Sequence, residues 1–292
     1  MPRADGEVVA LCRAKLNLVF EILGRRPDGY HDLATVIHPI ALADELRVRR
    51  ADSGVALTTT GLPAPQGDEN IIARAARRFY EIAGLPPAIE ITLRKSIPPA
   101  AGLGGGSADA AGTLLALSEL HGFAAGGPRL RELALELGAD VPFFLGEGAA
   151  LAEGVGDRLV PLPAARTSVV LAQGLPGVNT GWAYGQVAPH HYTDGVRARR
   201  AALALLRRGR IDEPWNAFAQ ALAGARPDLA ALTATLAESV GGPAWLTGSG
   251  SCVFAFAEDE AAAQRAAETV AAMGYWSWWG QTADRPVTLM HA

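Results

Sequence analysis

The chain has 292 residues, 49% of them apolar, with 33 glycines and 19 prolines, enough for a sizeable core and many turns. Its 26 Lys and Arg against 30 Asp and Glu give a formal charge of −4, which argues against a nucleic-acid carrier. No stretch reaches the ~18 apolar residues of a membrane span, the segment Met1 to Glu7 is charged and has no apolar signal core, and the two cysteines, Cys12 and Cys252, stand in no CxxC spacing, so a reducing cytoplasm is expected.

Val8 to Phe20 alternates as a strand, with Lys15 and Asn17 on one face and Leu16 and Leu18 on the other. Pro27-Asp28-Gly29 marks a turn within Arg25 to Tyr30, and Leu46 to Arg50 and Val55 to Thr60 read as further strands. Asp68 to Gly84 has acidic residues at its start, apolar residues at helical spacing and a glycine stop, which predicts a helix. Ile89 to Arg94 is a strand by alternation. Helices are expected at Ala108 to His121, ended by Gly122, and at Leu130 to Leu137, ended by Gly138.

A division of the chain near residue 157 is suggested by falling glycine density and by Pro161 and Pro163. Beyond it, strands are expected at Ser168 to Ala172, Cys252 to Phe256 and Tyr275 to Trp279. Helices are expected around Val196 to Leu206, Leu229 to Ser239 and Glu260 to Met273. Strands and helices mixed in both halves predict an α+β fold.

The strongest chemical signal is Pro98, Pro99, Ala100, Ala101, Gly102, Leu103, Gly104, Gly105, Gly106, Ser107, Ala108, set between a strand and a helix. A Gly-rich turn lets backbone approach a polyphosphate without Cβ clashes, and the helix start aims free N–H groups at the same anion. The loop lacks the GK[ST] ending of a Walker A motif. It is one glycine short of the dinucleotide fingerprint, and no acidic residue closes a second strand about 20 positions on. A tight turn that binds nothing is the alternative.

PPAAGLGGGSADAA from Pro98 resembles the phosphate-binding motif of the GHMP small-molecule kinase superfamily. AKLNL at Ala14 to Leu18, GADVPFF at Gly138 to Phe144 and LTGSGSCVF at Leu246 to Phe254 resemble the other motifs of that superfamily, in order. RRPDGYHDLATV at Arg25, DENIIARAA at Asp68 and AEGVGD at Ala152 are similar to its branch acting on a cytidine-diphosphate-linked methylerythritol. The resemblance implies two α+β domains, an ATP-binding unit over 1–156 and a substrate-binding unit over 157–292, with the active site in the cleft between them. It implies ATP and Mg2+ as cofactors and phosphorylation of the 2-hydroxyl of that alcohol, in the mevalonate-independent route to isoprenoid precursors. A small molecule is then the partner, with no nucleic acid and no membrane, for a monomer or weak homodimer.

Carried over motif by motif, Lys15 and Asp140 are the catalytic pair, and Asn17 lies beside the substrate. Tyr30 and His31 hold the cytidine end, and Tyr184, four residues after Thr180, covers the cytosine. The loop from Pro98 to Ala108 wraps the ATP phosphates, with Lys95 and Asn70 as further nucleotide contacts. One departure is Ala108, where the family usually has a second serine, so any hydroxyl role is lost or moves to Ser107. The Pro-Pro-Ala-Ala opening is also bulkier than usual.

A carboxylate beside the acceptor hydroxyl can take its proton, and a lysine nearby can hold that carboxylate ionised and stabilise developing negative charge. Asp140, between Gly138 and Pro142, is expected on a loop. The alternative is that Asp140 only orients the hydroxyl. Other superfamily kinases, acting on homoserine, mevalonate or a sugar, have no need of Tyr30, His31 and Tyr184. An inactive ligand sensor would have no use for Lys15 and Asp140 together. His190 and His191 lack a ligand cluster, the arginines at 197, 199, 200, 207, 208 and 210 read as a solvated helix face, and Trp276 and Trp278 read as packing opposite Trp279.

Overall fold

The computed structural model describes residues 6–174, 176–209 and 213–291. Arg210 and the charged start up to position 5 lie outside them. The chain opens with a long hairpin, β1 (Val8–Arg25) and β2 (His31–Arg50), turning at Pro27 to Gly29. β3 (Gly54–Gly61), α1 (Ile71–Ala83) and β4 (Ala88–Lys95) follow, then α2 (Gly105–His121), α3 (Pro128–Leu137) and the one-turn α4 (Val141–Phe144). β5 (Ala149–Gly154) and β6 (Arg158–Leu162) make a second hairpin before β7 (Ser168–Gln173). The rest runs α5 (Thr180–Gly185), α6 (Val196–Arg208), β8 (Trp215–Asn216), α7 (Ala217–Ala221), α8 (Pro227–Val240), β9 (Ala244–Leu246), β10 (Cys252–Ala257), α9 (Glu260–Ala272), β11 (Trp276–Gln281) and β12 (Val287–His291).

Two sheets result. The first carries the order β12-β1-β2-β4-β3, with β5 and β8 joined to β2 and β1 and β6 beside β5; the second is β11-β7-β10-β9. The first sheet packs on α1, α2 and α3 around Leu46, Phe79, Leu114 and Leu133. The second packs on α8 and α9 around Val170, Leu232, Val253 and Val270. The mixture is the α+β class expected. The division drawn at 156/157 falls in the β5–β6 turn, and the first sheet recruits β6, β8 and β12 from beyond it.

The strand read at Leu46 to Arg50 is the last quarter of β2. Pro39 sits inside it and removes a ladder donor, which hides the run from a pattern search. Opposite Pro39 stands Lys15, and the β1–β2 register shifts between Arg13 and Lys15 and again between Asn17 and Val19. Bulges free backbone groups and re-aim side chains. Here the freed N–H of Lys15 donates to Leu103 O at 2.9 Å, and that of Asn17 to Thr247 Oγ1 at 3.0 Å. The bulged stretch of β1 therefore meets both glycine-rich segments.

His38, next to Pro39, is fully buried; Nδ1 donates to Pro39 O at 2.9 Å and Nε2 accepts the Ala165 N–H at 3.0 Å. Accepting the Ala165 N–H requires the neutral ring, and burial lowers its pKa from the ordinary 6.5 despite the Pro39 carbonyl and Asp284. The unfolded chain therefore takes up this proton first as pH falls. The contribution to stability is present above the unfolded pKa and is lost below it. The urea midpoint is expected to fall between about pH 7 and pH 5, and to fall less in His38→Asn, as chemical denaturation at several pH values would show.

Candidate active site

β4 ends at Lys95 and hands the chain to the glycine loop. Gly102 and Gly104 adopt φ of 75° and 71°. A Cβ at Gly102 would overlap the Thr247 carbonyl oxygen, and one at Gly104 would lie 2.9 Å from Phe144 Cζ and 3.0 Å from Lys15 Cγ. Only glycine satisfies both demands.

The helix after the loop starts at Gly105 rather than at Ala108 as expected. Ala108 N–H donates to Gly104 O at 2.9 Å. The amides of Gly105, Gly106 and Ser107 therefore have no partner within the helix, and they stand at its positive end. Ala108 is fully buried in the core, where a serine hydroxyl would face apolar neighbours.

The loop is backed by the C-terminal half. Cys252 N–H donates to Ala101 O at 3.1 Å and Val178 N–H to Ala100 O at 3.1 Å. Asn216 Nδ2 donates to Leu246 O and Gly248 O, both at 2.8 Å, and so holds the second glycine-rich segment in place.

Lys15 is buried, and its Nζ donates to Asn17 Oδ1 at 2.5 Å and to Gly102 O at 2.8 Å. Asn17 Nδ2 in turn donates to Thr35 Oγ1 at 2.9 Å, which fixes the amide with its oxygen toward the lysine. Asp140 Oδ2 stands 3.8 Å from Lys15 Nζ, with the Asp140 side chain 43% exposed and that of Lys15 5%. Burial lowers the Lys15 pKa, and the Asp140 charge acts against that shift.

Asp140 lies on a turn outside the helices, as expected, but Pro142 is not what keeps it there. α4 begins at Val141, with Pro142 in its first turn, where a missing N–H costs nothing. Asp140 precedes it with φ −83° and ψ −17°, and its carboxylate caps no amide. It remains free to face a ligand.

One cavity of about 840 Å³ is lined by Lys15, Asn17, Asp140 and the loop from Pro98 to Ser107. It is within the usual size for a small-molecule site. Its lining also includes Pro63, Ala64, Pro65 and Asn70, and Phe20, Tyr30, His31, Thr180, Tyr184 and Phe218. His31 and Tyr184 stack on each other, with centroids 4.9 Å apart and planes at 16°, and Phe218 meets Tyr184 edge-on at 5.0 Å. Thr180 Oγ1 lies 3.1 Å from Ser249 Oγ, and Tyr30 is 69% exposed at the mouth.

The model for GHMP kinases N terminal domain matches residues 70–148, and that for GHMP kinases C terminal matches residues 202–275. The chain is 41% identical over 270 residues to the 4-diphosphocytidyl-2-C-methyl-D-erythritol kinase of Deinococcus radiodurans, covering 90% of this chain and 89% of that one. It is 39% identical over 267 residues to the kinase of that name from Pelotomaculum thermopropionicum, covering 89% and 92%. A crystal structure of 4-(cytidine 5'-diphospho)-2C-methyl-D-erythritol kinase superposes with a TM-score of 0.81 at 38% identity, over 94% of this chain and 99% of that one. The chain belongs to the GHMP kinases, in the 4-diphosphocytidyl-2-C-methyl-D-erythritol kinase family.

Within that family's frame, two expected nucleotide contacts have their polar atoms engaged by the protein. Asn70 Oδ1 accepts the Ile72 N–H and Nδ2 donates to Pro65 O, both at 2.9 Å, so its side chain caps α1 and shapes the loop before it. Lys95 Nζ is bonded to two carboxylates, Asp44 and Asp109. Sequence reasoning passed over Thr35, Asp44, Asp109, Asn216 and Thr247. Thr35, Asp109 and Thr247 lie within the quoted segments without being singled out there, and nothing in the residue pattern marks Asp44 or Asn216 as bonded to the site. Among the described residues no helix is long and apolar enough to cross a membrane.

Proposed function

We propose that the protein transfers the γ-phosphoryl group of ATP to the 2-hydroxyl of 4-diphosphocytidyl-2-C-methyl-D-erythritol, in the cytoplasm. The observation that carries this reading is the cavity itself. Lys15 and Asp140 share its lining with a helix-start anion cradle and a group of stacked aromatic rings. The buried free thiols of Cys12 and Cys252 suit the reducing setting.

In this reading the amides of Gly105, Gly106 and Ser107 bind phosphate oxygens. Phosphoryl transfer through a loose transition state asks chiefly for positioning and charge neutralisation. Asp140 Oδ2 accepts the proton of the acceptor hydroxyl. Lys15, held by Asn17 and Gly102, keeps its positive charge beside the oxygen as that proton leaves.

The Ser107 hydroxyl, in the cavity lining at the start of α2, is a hard oxygen of the kind Mg2+ takes in small number beside substrate phosphates. It would hold the ion, which when bound supplies charge neutralisation at the β- and γ-phosphates.

The His31–Tyr184 stack leaves no slot between its own rings, so the cytosine lies against an outer face of that stack, with Tyr30 as a second wall. Burial, and then Arg25, keep the His31 pKa below its ordinary value. A neutral imidazole can accept a hydrogen bond from the cytosine amino group. Tyr184→Leu is expected to raise KM for the cytidine compound roughly 5- to 150-fold, the range for loss of one base–aromatic stack, with KM for ATP within twofold. Steady-state kinetics with each substrate varied in turn checks this.

The reading is tested by ADP release from ATP against a panel of alcohols. Turnover with the cytidine compound and none with homoserine or mevalonate is expected. Turnover with either of those, and none with the cytidine compound, removes the substrate assignment.

A further inference from the structure

A buried ion group lies beneath the phosphate loop, and phosphoryl transfer as described above makes no use of it. Lys95 Nζ is 2.5 Å from Asp44 Oδ2 on β2 and 2.7 Å from Asp109 Oδ2 on α2, and all three side chains are almost wholly buried. Asp44 Oδ1 accepts two further bonds, from the N–H of Ser96 at 2.6 Å and of Ile97 at 2.8 Å. Ser96 and Ile97 lead into the loop, and Asp109 stands on the helix that leaves it.

Gly105 and Asp109 are four apart on α2 and so share a face. A Cβ at Gly105 would come within 3.0 Å of Lys95 Nζ. The lysine therefore lies against the first turn of α2, and although it and Asp109 reach the wall of the cavity, its donors are directed at carboxylates. Asp109 Oδ1 has no hydrogen-bond partner. Burial, with the Asp44 charge adding to it, pushes the Asp109 pKa well above the ordinary carboxyl range even though Lys95 opposes the shift. A proton there leaves one carboxylate against one ammonium, with no net charge beneath a polyphosphate.

We propose that Asp44, Lys95 and Asp109 form a clamp that fixes the two ends of the phosphate loop against each other and sets nucleotide affinity without touching the nucleotide. Ordering a glycine-rich loop costs more backbone entropy than ordering any other. A loop held at both ends beforehand spares the nucleotide that cost on binding. Lys95 is then a positioning residue. The proposal rests on the loop being the ATP-phosphate site and is independent of which alcohol is phosphorylated.

Asp44→Asn separates the clamp from direct contact. Its amide still accepts from Ser96 and Ile97 but turns donors toward Lys95 and breaks the tie to α2. If Lys95 instead bound phosphate itself, loss of the Asp44 charge would free it and tighten the nucleotide. Calorimetric titration with ADP is expected to show roughly tenfold weaker binding in Asp44→Asn and in Lys95→Met. The double variant is expected to be no weaker than either single one, and binding of cytidine diphosphate is expected to stay within twofold. Unchanged or tighter ADP binding in Asp44→Asn, or additive losses in the double variant, overturns the clamp.

Hydrogen exchange on the unaltered chain covers the case in which a variant fails to fold. Ser96 and Ile97 amides are expected to be as protected as the interior of β4 before any nucleotide is added. Protection that arises only with ADP overturns the clamp. Failure of all ADP binding to the unaltered chain would instead remove the ATP reading on which it rests.

Discussion

Asp140→Asn is expected to lower kcat by about 10²–10⁴-fold, the usual worth of a positioned general base, while leaving the fold and nucleotide affinity in place. The asparagine has the same shape, and the native carboxylate caps no amide and makes no hydrogen bond on which the fold depends. Its ion pair with Lys15 is long, at 3.8 Å, and its side chain is 43% exposed, so the stability lost with it is small. Pre-steady-state kinetics, with ADP titration and a thermal melt on the same sample, measures all three quantities. A kcat close to that of the unaltered enzyme would mean that the carboxylate only neighbours the hydroxyl and that the proton leaves by another path.

Lys15→Met is expected to act on both activity and stability. The methionine fills the stem's space but removes a buried ammonium that donates to Asn17 Oδ1 and Gly102 O. One buried and one part-buried acceptor would lose their donor, at up to about 1–3 kcal/mol each. The melting temperature is therefore expected to fall measurably, unlike that of Asp140→Asn. Loss of the charge beside the reacting oxygen is expected to reduce kcat by a further 10²–10³-fold or so relative to binding effects alone. Lys15→Arg should not rescue it, because a planar fork cannot occupy the narrow space between Gly104, Asn17 and Gly102. Melting curves and single-turnover rates for the two variants check this; full activity in Lys15→Arg would show that the position needs only a positive charge.

Much of this site could be read from the residues because its parts are local. A glycine loop between a strand and a helix carries its own physical meaning, and the four motifs quoted for it meet in one cavity. What stayed hidden is what depends on distant partners. The first half of β2 carries no strand reading in the sequence, and its Pro39 faces the bulge that turns Lys15 toward the loop. β12 is only Val287–His291, too short to stand out, and its place is given by pairing with β1 nearly the whole chain length away.

The polar residues follow the same rule. Asp44 sits in an alternating run where an aspartate reads as solvent-facing, but the structure buries it against Lys95. Asn70 and Lys95 are expected as nucleotide contacts on the family resemblance alone. Their hydrogen bonds are made within the chain, to Pro65, Ile72, Asp44 and Asp109. A single sequence holds no record of such long-range pairing. The helix start at Gly105 was missed for a different reason: glycine's poor propensity masked three residues whose bare amides suit anion binding better than any helix-favouring side chain.

A crystal structure with a non-hydrolysable ATP analogue and the cytidine-linked alcohol tests the central claim most directly. The account predicts the acceptor hydroxyl within about 2.6–3.2 Å of Asp140 Oδ2, with Lys15 Nζ beside the same oxygen and the terminal phosphate on the amides of Gly105 to Ser107. A nucleotide seated elsewhere, or a hydroxyl directed away from Asp140 and Lys15, would contradict it.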